Sequence, residues 1–337
     1  MHVFLWWTAE NKTGDNDVRL VRDMGFQWLK QRFPWREIEL GRGVFDWSRT
    51  DRIVALAEKY NLKLLARLDA QPWWAQADPT ASIASGPPAD YQEFGKYCSA
   101  VAARYKGRIP AYEVWNEPNL AREWGHQPPN APAYVELLKV CYQAIKAADP
   151  QALVVSAGLA PNAHPEPTEA LPDDVFYRAM YEAGAAPYFD LLGVHAPGWM
   201  NPPEMSPDET QADPDLQVRH LTFRHIEDIR QIMVEHGDAD KQIAITEMGY
   251  TTDPRPDSPY HWHAVTEEQR AEYLPRMYQY AKAHWSPWIG PMITIYIVDE
   301  AWTENDEQYW WSITRPVLPG DPPFLLPSYE ALKRMEK

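Results

Sequence analysis

The chain has 337 residues, with 48 acidic side chains against 32 basic ones and a formal net charge of −16. That excess, with no run of Lys or Arg to offset it locally, repels phosphate backbones and anionic membrane surfaces and excludes nucleic acid and lipid as partners. The longest apolar stretches, such as residues 289–298, fall far short of the ~20 residues a membrane helix needs, and two cysteines are too few for a disulfide framework or a thiolate metal site. Cys98 and Cys141 are therefore expected to be buried free thiols.

In chain order, short β-rich runs alternate with longer helical patterns. Residues 3–8 read as a first strand, and 15–24 as a helix with apolar Val18, Val21 and Met24. A second strand over 26–33 leads to a helix over 49–60, opened by the Asp46 and Ser48 capping region. A third strand over 62–68 precedes a helix within 88–105. The fourth, over 109–115, precedes an amphipathic helix over 131–148 that Asp149-Pro150 closes. The fifth strand, 152–157, is followed by a helix over 173–183, and the sixth, 189–195, by a long helix over 219–236. The seventh, 242–247, leads to a helix over 266–284 with a start signal in Thr266 to Gln269. The eighth, 291–298, is followed by a last helix over 328–335.

Eight strand-helix units of about 42 residues each predict a single (β/α)8 TIM barrel over residues 1–337 rather than two domains. A doubly wound sheet shares the alternation, but residues 8–14 after the first strand hold no Gly-rich phosphate turn. The long loops 197–214 and 251–265, rich in proline and poor in periodicity, follow the sixth and seventh strands on the face where barrel enzymes place their sites. Composition adds 16 Trp, 18 Tyr and 32 Pro. Aromatic faces stack on sugar rings, although on composition alone an aromatic-rich core is the simpler source of the count.

The fourth and seventh strands end in carboxylates, as Tyr112-Glu113-Val114-Trp115-Asn116-Glu117-Pro118 and Ile245-Thr246-Glu247-Met248-Gly249-Tyr250. In an eight-stranded barrel these ends reach toward each other across the mouth. Retaining hydrolysis of a glycosidic bond needs such a pair, ~5–5.5 Å apart, with one carboxyl protonated and one ionised. A carboxylate beside another has its pKa raised, which predicts a proton donor near neutral pH. The plain alternative is a surface loop acid and a structural ion-pair partner.

Asn116-Glu117-Pro118 after a buried strand and Thr246-Glu247-Met248-Gly249 two helices later resemble the clan A glycoside hydrolases. Trp35 to Glu39 with Gly43 to Trp47, Gln71 to Ala75, Ile145 to Pro150, and Pro327 to Leu332 extend the likeness over nearly the whole chain. It is nearest to family 39, with features of families 5 and 42. The resemblance implies a carbohydrate substrate and hydrolysis of β-glycosidic bonds with retention, without a cofactor. Glu117 would be the acid/base and Glu247 the nucleophile. It further implies that Asn116 binds the sugar 2-hydroxyl, that His195 is the sixth-strand histidine and that Trp302 is the floor tryptophan.

Three positions depart from the family pattern. Its second-strand arginine falls on Lys30, with Arg32 two residues on and on the same face. A third-strand histidine falls at Asp69, beside Arg67. Pro197 stands where the family continues His-x-Tyr, leaving Tyr250 or Tyr296 to take the tyrosine's place. Trp73 is a candidate sugar platform, with Trp74, Trp124, Trp199, Trp310 and Trp311. His164, His261 and His263 lack the spacing of a metal site, so no metal is expected. A non-catalytic sugar-binding barrel and a transglycosylase using the same glutamates are the competing readings. Polymeric substrates of the family favour an extracellular protein over a cytoplasmic one, although no signal-peptide pattern precedes the first strand.

Overall fold

The computed structural model describes residues 1–80, 83, 85–318 and 320–336. Seven parallel strands follow one another through a single sheet in chain order. They are β1 (Trp28–Pro34), β2 (Lys63–Asp69), β3 (Ala111–Val114), β4 (Leu153–Ser156), β5 (Leu191–His195), β6 (Gln242–Met248) and β7 (Ile289–Thr294). Helix α1 (Lys12–Asp23) precedes β1. After the successive strands come α2 (Ser48–Lys59), α3 (Tyr91–Arg104), α4 (Ala131–Ala148), α5 (Asp173–Glu182), α6 (Ile226–Glu235), α7 (Glu267–His284) and α8 (Pro327–Arg334).

The chain's first residues fill the gap between β7 and β1. The His2 amide donates to the Thr294 carbonyl at 3.0 Å and the His2 carbonyl accepts from Ile297 at 3.2 Å. On the other side Val3 donates to Lys30 at 3.3 Å and Lys30 donates to Met1 at 2.9 Å. These bonds close the eight-membered barrel. The expected strand over 3–8 is corrected accordingly: pairing centres on His2, and the chain turns after Leu5, whose carbonyl accepts from Thr8 and Ala9 at 3.2 and 2.9 Å.

Local sequence accounts for the helix ends. Asn130 caps α4 by accepting from the Ala133 amide at 3.0 Å, with a proline in the first turn. Thr266 and Gln269 form a reciprocal capping box on α7; caps of this kind contribute about 1 kcal/mol each. The long helix expected over 219–236 is shorter. Thr222 accepts from the Arg224 amide at 3.3 Å and starts a 3-10 turn, so regular helix begins only at Ile226. The connections after β5 and β6 run over residues 196–225 and 249–266.

Strand parity sorts the barrel into layers. At the bottom of the interior, Leu65, Ala111, Val155, Leu191, Ala244 and Ile293 make a small apolar cluster. Two residues further along the same faces stand Arg67, Glu113 and Thr246, with the small Ala157 and Gly193, the apolar Ile295, and Lys30 alongside from β1. The interior thus changes from apolar to charged toward the C-terminal mouth, while outward-facing residues join the main core against the helices.

Cys98 on α3 and Cys141 on α4 are bonded to each other, which corrects the free-thiol expectation. The buried faces of these adjacent helices bring their Cα atoms to 5.6 Å, inside the range a disulfide spans.

A second buried feature ties α5 to the long loop after β5. His225 lies 3.2 Å from Asp173 and 3.0 Å from Asp228, and Arg219 pairs with Asp228 at 2.7 Å. Burial alone would lower the His225 pKa, but the two aspartates push it up to about 10. Because the folded value lies above the unfolded one, the stabilisation is complete below about pH 6.5 and fades as pH rises to about 10. Thermal midpoints of wild type and His225→Gln, measured from pH 6 to 10, should therefore differ most at pH 6 and converge toward pH 10. A pH-independent difference would refute the linkage.

Candidate active site

β3 ends in a backbone that aims Glu117 at the mouth. Trp115 and Glu117 both take positive φ, 74° and 43°, a region that costs a non-glycine residue roughly 1–2 kcal/mol. Tertiary bonds hold them there: the Trp115 amide donates to Leu68 at 2.9 Å, the Glu117 amide to Gly158 at 3.0 Å, and the Trp115 indole to the Glu123 carbonyl at 2.9 Å. Gly158 has no substitute, since a Cβ there would stand 2.2 Å from the His195 ring. Its missing side chain lets the loop after β4 pass directly beneath Glu117 and His195.

Glu247 projects from the end of β6 toward two cations, Lys30 and Arg67, and the His2 imidazole. Lys30 Nζ lies 3.2 Å, Arg67 Nη1 3.4 Å and His2 Nδ1 3.6 Å from the same oxygen, Oε1. Burial opposes ionisation of Glu247, but Lys30, His195 and His2 outweigh it and hold the carboxyl well below its ordinary range. His2 itself is pushed down to about 3, chiefly by burial. Lys30, fully buried, also pairs with buried Glu113 at 2.8 Å and donates to the Thr246 carbonyl at 3.2 Å.

Glu117 behaves differently from the sequence expectation. Burial pushes its pKa up, but the hydrogen bond and charge of His195, with the Arg122 guanidinium, outweigh this and hold it below the usual value. The charge of Glu247 acts in the expected upward direction and is the weakest of these influences. His195 Nδ1 sits 3.0 Å from Glu117 Oε1, and Arg122 Nη2 lies 3.5 Å from Oε2. The histidine is correspondingly raised: burial lowers it, while Glu247 and Glu117 more than compensate. The raised proton affinity predicted for the carboxylate pair thus resides on the histidine between them.

Asn116 Oδ1 accepts from Arg67 Nη1 at 2.8 Å, which fixes its amide beside the Glu247 cluster. Asp69 takes Arg32 at 2.7 Å and Arg67 at 2.9 Å. Of the two candidates on β1, Lys30 reaches Glu247, whereas Arg32 is turned to Asp69 and partly solvated. Glu117, His195, Glu247 and Tyr296 line one cavity of about 280 Å³.

Other candidates lie elsewhere. Tyr250 is buried with its hydroxyl donating to the Asn201 carbonyl at 3.0 Å, outside the cavity lining, where it braces the loop after β5. Of these two candidates it is Tyr296 that lines the cavity. Trp302 stands behind it, its ring 5.6 Å from Tyr296 and 4.6 Å from Phe4. Trp73 is exposed on a 3-10 turn after β2, away from that cavity. Trp124 and Trp74 pack into the core, against Trp115 and Trp35 respectively. Among the described residues, no cluster of three or more His, Cys, Asp or Glu side chains is arranged to hold a metal.

Four contributors were not legible as site residues. His2 precedes the first predicted strand. Gly158 carries no side chain to read. Arg122, and Glu307, which also lines the cavity, sit in connections without periodicity. Glu113 had a signal, a lone charge at a parity position of an otherwise apolar strand.

Residues 20–155 match the model of glycosyl hydrolase family 10. The chain is similar in structure to a family 39 glycoside hydrolase from the gut symbiont Bacteroides cellulosilyticus WH2, with a TM-score of 0.69 and 17% identity over 98% of this chain and 62% of that one. It also resembles a psychrophilic family 10 endo-β-1,4-xylanase, at TM-score 0.58 and 15% identity over 99% and 96% of the two chains. The fold is that of the clan A glycoside hydrolase barrels. The chain is also similar in structure to Pseudomonas stutzeri endoglucanase Cel5A, at TM-score 0.57 and 12% identity over 95% of this chain and 84% of that one. The chain spans less than two thirds of the family 39 structure's length. No curated protein matches it significantly. The family 10 match covers the part of the chain that carries Glu117 and stops before Glu247.

Proposed function

We propose that the chain is a retaining glycoside hydrolase acting on a carbohydrate substrate by double displacement. The observation that carries this reading is that two glutamates in one cavity have different partners: Glu247 is held as a carboxylate chiefly by Lys30, and Glu117 is hydrogen-bonded to a histidine of raised proton affinity. Glu247 attacks the anomeric carbon. The proton held by the Glu117–His195 pair passes from Nδ1 through the Glu117 carboxyl to the departing oxygen. Esterification neutralises Glu247 and removes the charge that raises both partners, so Glu117 is left ionised as base for the water that releases the sugar. In this reading Asn116, whose amide oxygen accepts from Arg67, binds the 2-hydroxyl during these steps.

Glu117→Ala tests the assignment. Its kcat/KM on nitrophenyl glycosides, whose leaving groups need little protonation, should fall far less than on poorly activated alkyl glycosides, where a loss of roughly 10²–10⁴-fold is expected. Equal losses on both series would remove Glu117 from the acid role. A sugar-binding barrel without activity would instead give calorimetric binding and no release of product by the wild type.

A further inference from the structure

Beside the two glutamates, two buried polar atoms have no hydrogen-bond partner among the described residues: His195 Nε2 and Thr246 Oγ1. Their residues are 4% and 0% exposed. The two atoms are neighbours, because each stands 2.5 Å from the point a Gly158 Cβ would occupy. The bare backbone of Gly158 lets the ring and the hydroxyl approach the same spot. β6 delivers the hydroxyl through an irregularity in its pairing with β5. Val194 lies opposite Ile245 and His195 opposite Glu247, so Thr246 is the extra residue of a bulge. Bulges re-aim side chains beside active sites. This one lets the consecutive residues Thr246 and Glu247 both reach inward, to His195 and to Lys30, where strict alternation would send one of them outward.

We propose that Thr246 is a positioning residue for the hydrolysis, its hydroxyl accepting from His195 Nε2–H and so holding the protonated imidazole against Glu117. The inference deepens the hydrolase reading and rests on it. A protonated histidine has two N–H donors and no acceptor, and Nδ1 already faces Glu117 Oε1 at 3.0 Å. The second donor is buried, and a charged donor left unpaired there pays the full cost of its desolvation. A threonine hydroxyl offers two lone pairs and a hydrogen that rotates to suit, so it accepts without leaving its place. Hydrogen bonds at catalytic groups often tighten only in the working complex. The same acceptor serves the next stage. When the Nδ1 proton passes to Glu117 and on to the departing oxygen, the proton left on the ring stays at Nε2, bonded to Thr246. Nδ1 then presents a lone pair to Glu117 and can take back the proton that water gives up in the second displacement. The charged groups that act on the ring are Glu117 after β3, Glu247 on β6 and Lys30 on β1, with Arg122 behind Glu117. Tyr296, kept neutral by burial, lines the same cavity.

The experiment follows kcat/KM against pH for alkyl and nitrophenyl glycosides in wild type, Thr246→Val and Thr246→Ser. Valine keeps the shape and loses the acceptor, so the protonated ring is disfavoured and the Glu117–His195 pair gives up its proton at lower pH. The basic limb for alkyl glycosides should move down by about one pH unit, the scale of one hydrogen bond from a charged donor. Nitrophenyl glycosides need little protonation, and their rates above that limb should fall less. Thr246→Ser keeps the hydroxyl and should hold the limb near its wild-type position. A limb unmoved in Thr246→Val, or moved equally in Thr246→Ser, overturns the proposal, whatever the thermal midpoints do. A second measurement needs no turnover: nitrogen NMR of the His195 ring, assigned by its absence from His195→Gln. If the wild type hydrolyses neither class, the hydrolase reading fails on its own, and this titration then decides the contact. A ring midpoint lower in Thr246→Val than in wild type supports it; an equal midpoint overturns it.

Discussion

Glu247→Gly is expected to reduce hydrolysis of nitrophenyl glycosides by roughly 10⁴- to 10⁶-fold, the scale on which loss of a covalent nucleophile acts. Added azide should restore part of the rate and yield the glycosyl azide of inverted configuration. The surroundings of the carboxylate explain why rescue should work in this chain. Removing Glu247 leaves Lys30 and Arg67 facing a space the size of the lost carboxylate. Lys30 keeps Glu113 and Arg67 keeps Asp69, so both stay charged and in place. A small anion is drawn to that space and attacks from the face the carboxylate occupied. One displacement replaces two, which inverts the anomeric centre. Product analysis by NMR checks it: an azide adduct of retained configuration, or a variant as active as wild type, would remove Glu247 from the nucleophile's role.

Much of the architecture was legible because it obeys periodicity. The helix over 131–148 is read correctly to the residue, since its apolar stripe and the closing Asp149-Pro150 act locally. Glu117 and Glu247 were visible for the same reason, as carboxylates at strand ends. What sequence could not supply were relations across the barrel. Helical periodicity gives Cys98 and Cys141 buried faces but not the fact that those faces meet. Lys30 and Arg32 share a strand face, and only the position of Asp69 on β2 decides which one turns to Glu247. The proton affinity of Glu117 depends on His195, at the end of β5, and on Arg122, further along its own connection, and so reverses the direction inferred from the two carboxylates alone.

Lys30→Met should separate what the buried charge does for the fold from what it does for the nucleophile. Lys30 and Glu113 are both fully buried, and removing one member of such a pair leaves the other desolvated, at a cost of about 3–5 kcal/mol. The thermal midpoint should fall accordingly. Glu247 also loses the strongest influence holding its pKa down, so the acidic limb of kcat/KM should move to higher pH. The sign follows from the direction of the shift: a carboxyl depressed in the folded protein is ionised well below its ordinary value, and removing the cation returns protonation toward that value. Adding Glu113→Gln to Lys30→Met removes the stranded anion, so most of the lost stability should return. The pH limb should stay displaced, because Glu247 still lacks its ammonium partner. Recovery of both together would mean that Lys30 serves the fold alone, with Arg67 and His2 sufficient to keep Glu247 ionised. A double variant that is stable yet still shifted in pH makes Lys30 the group that holds the nucleophile ready, in the place where the resembling families carry an arginine.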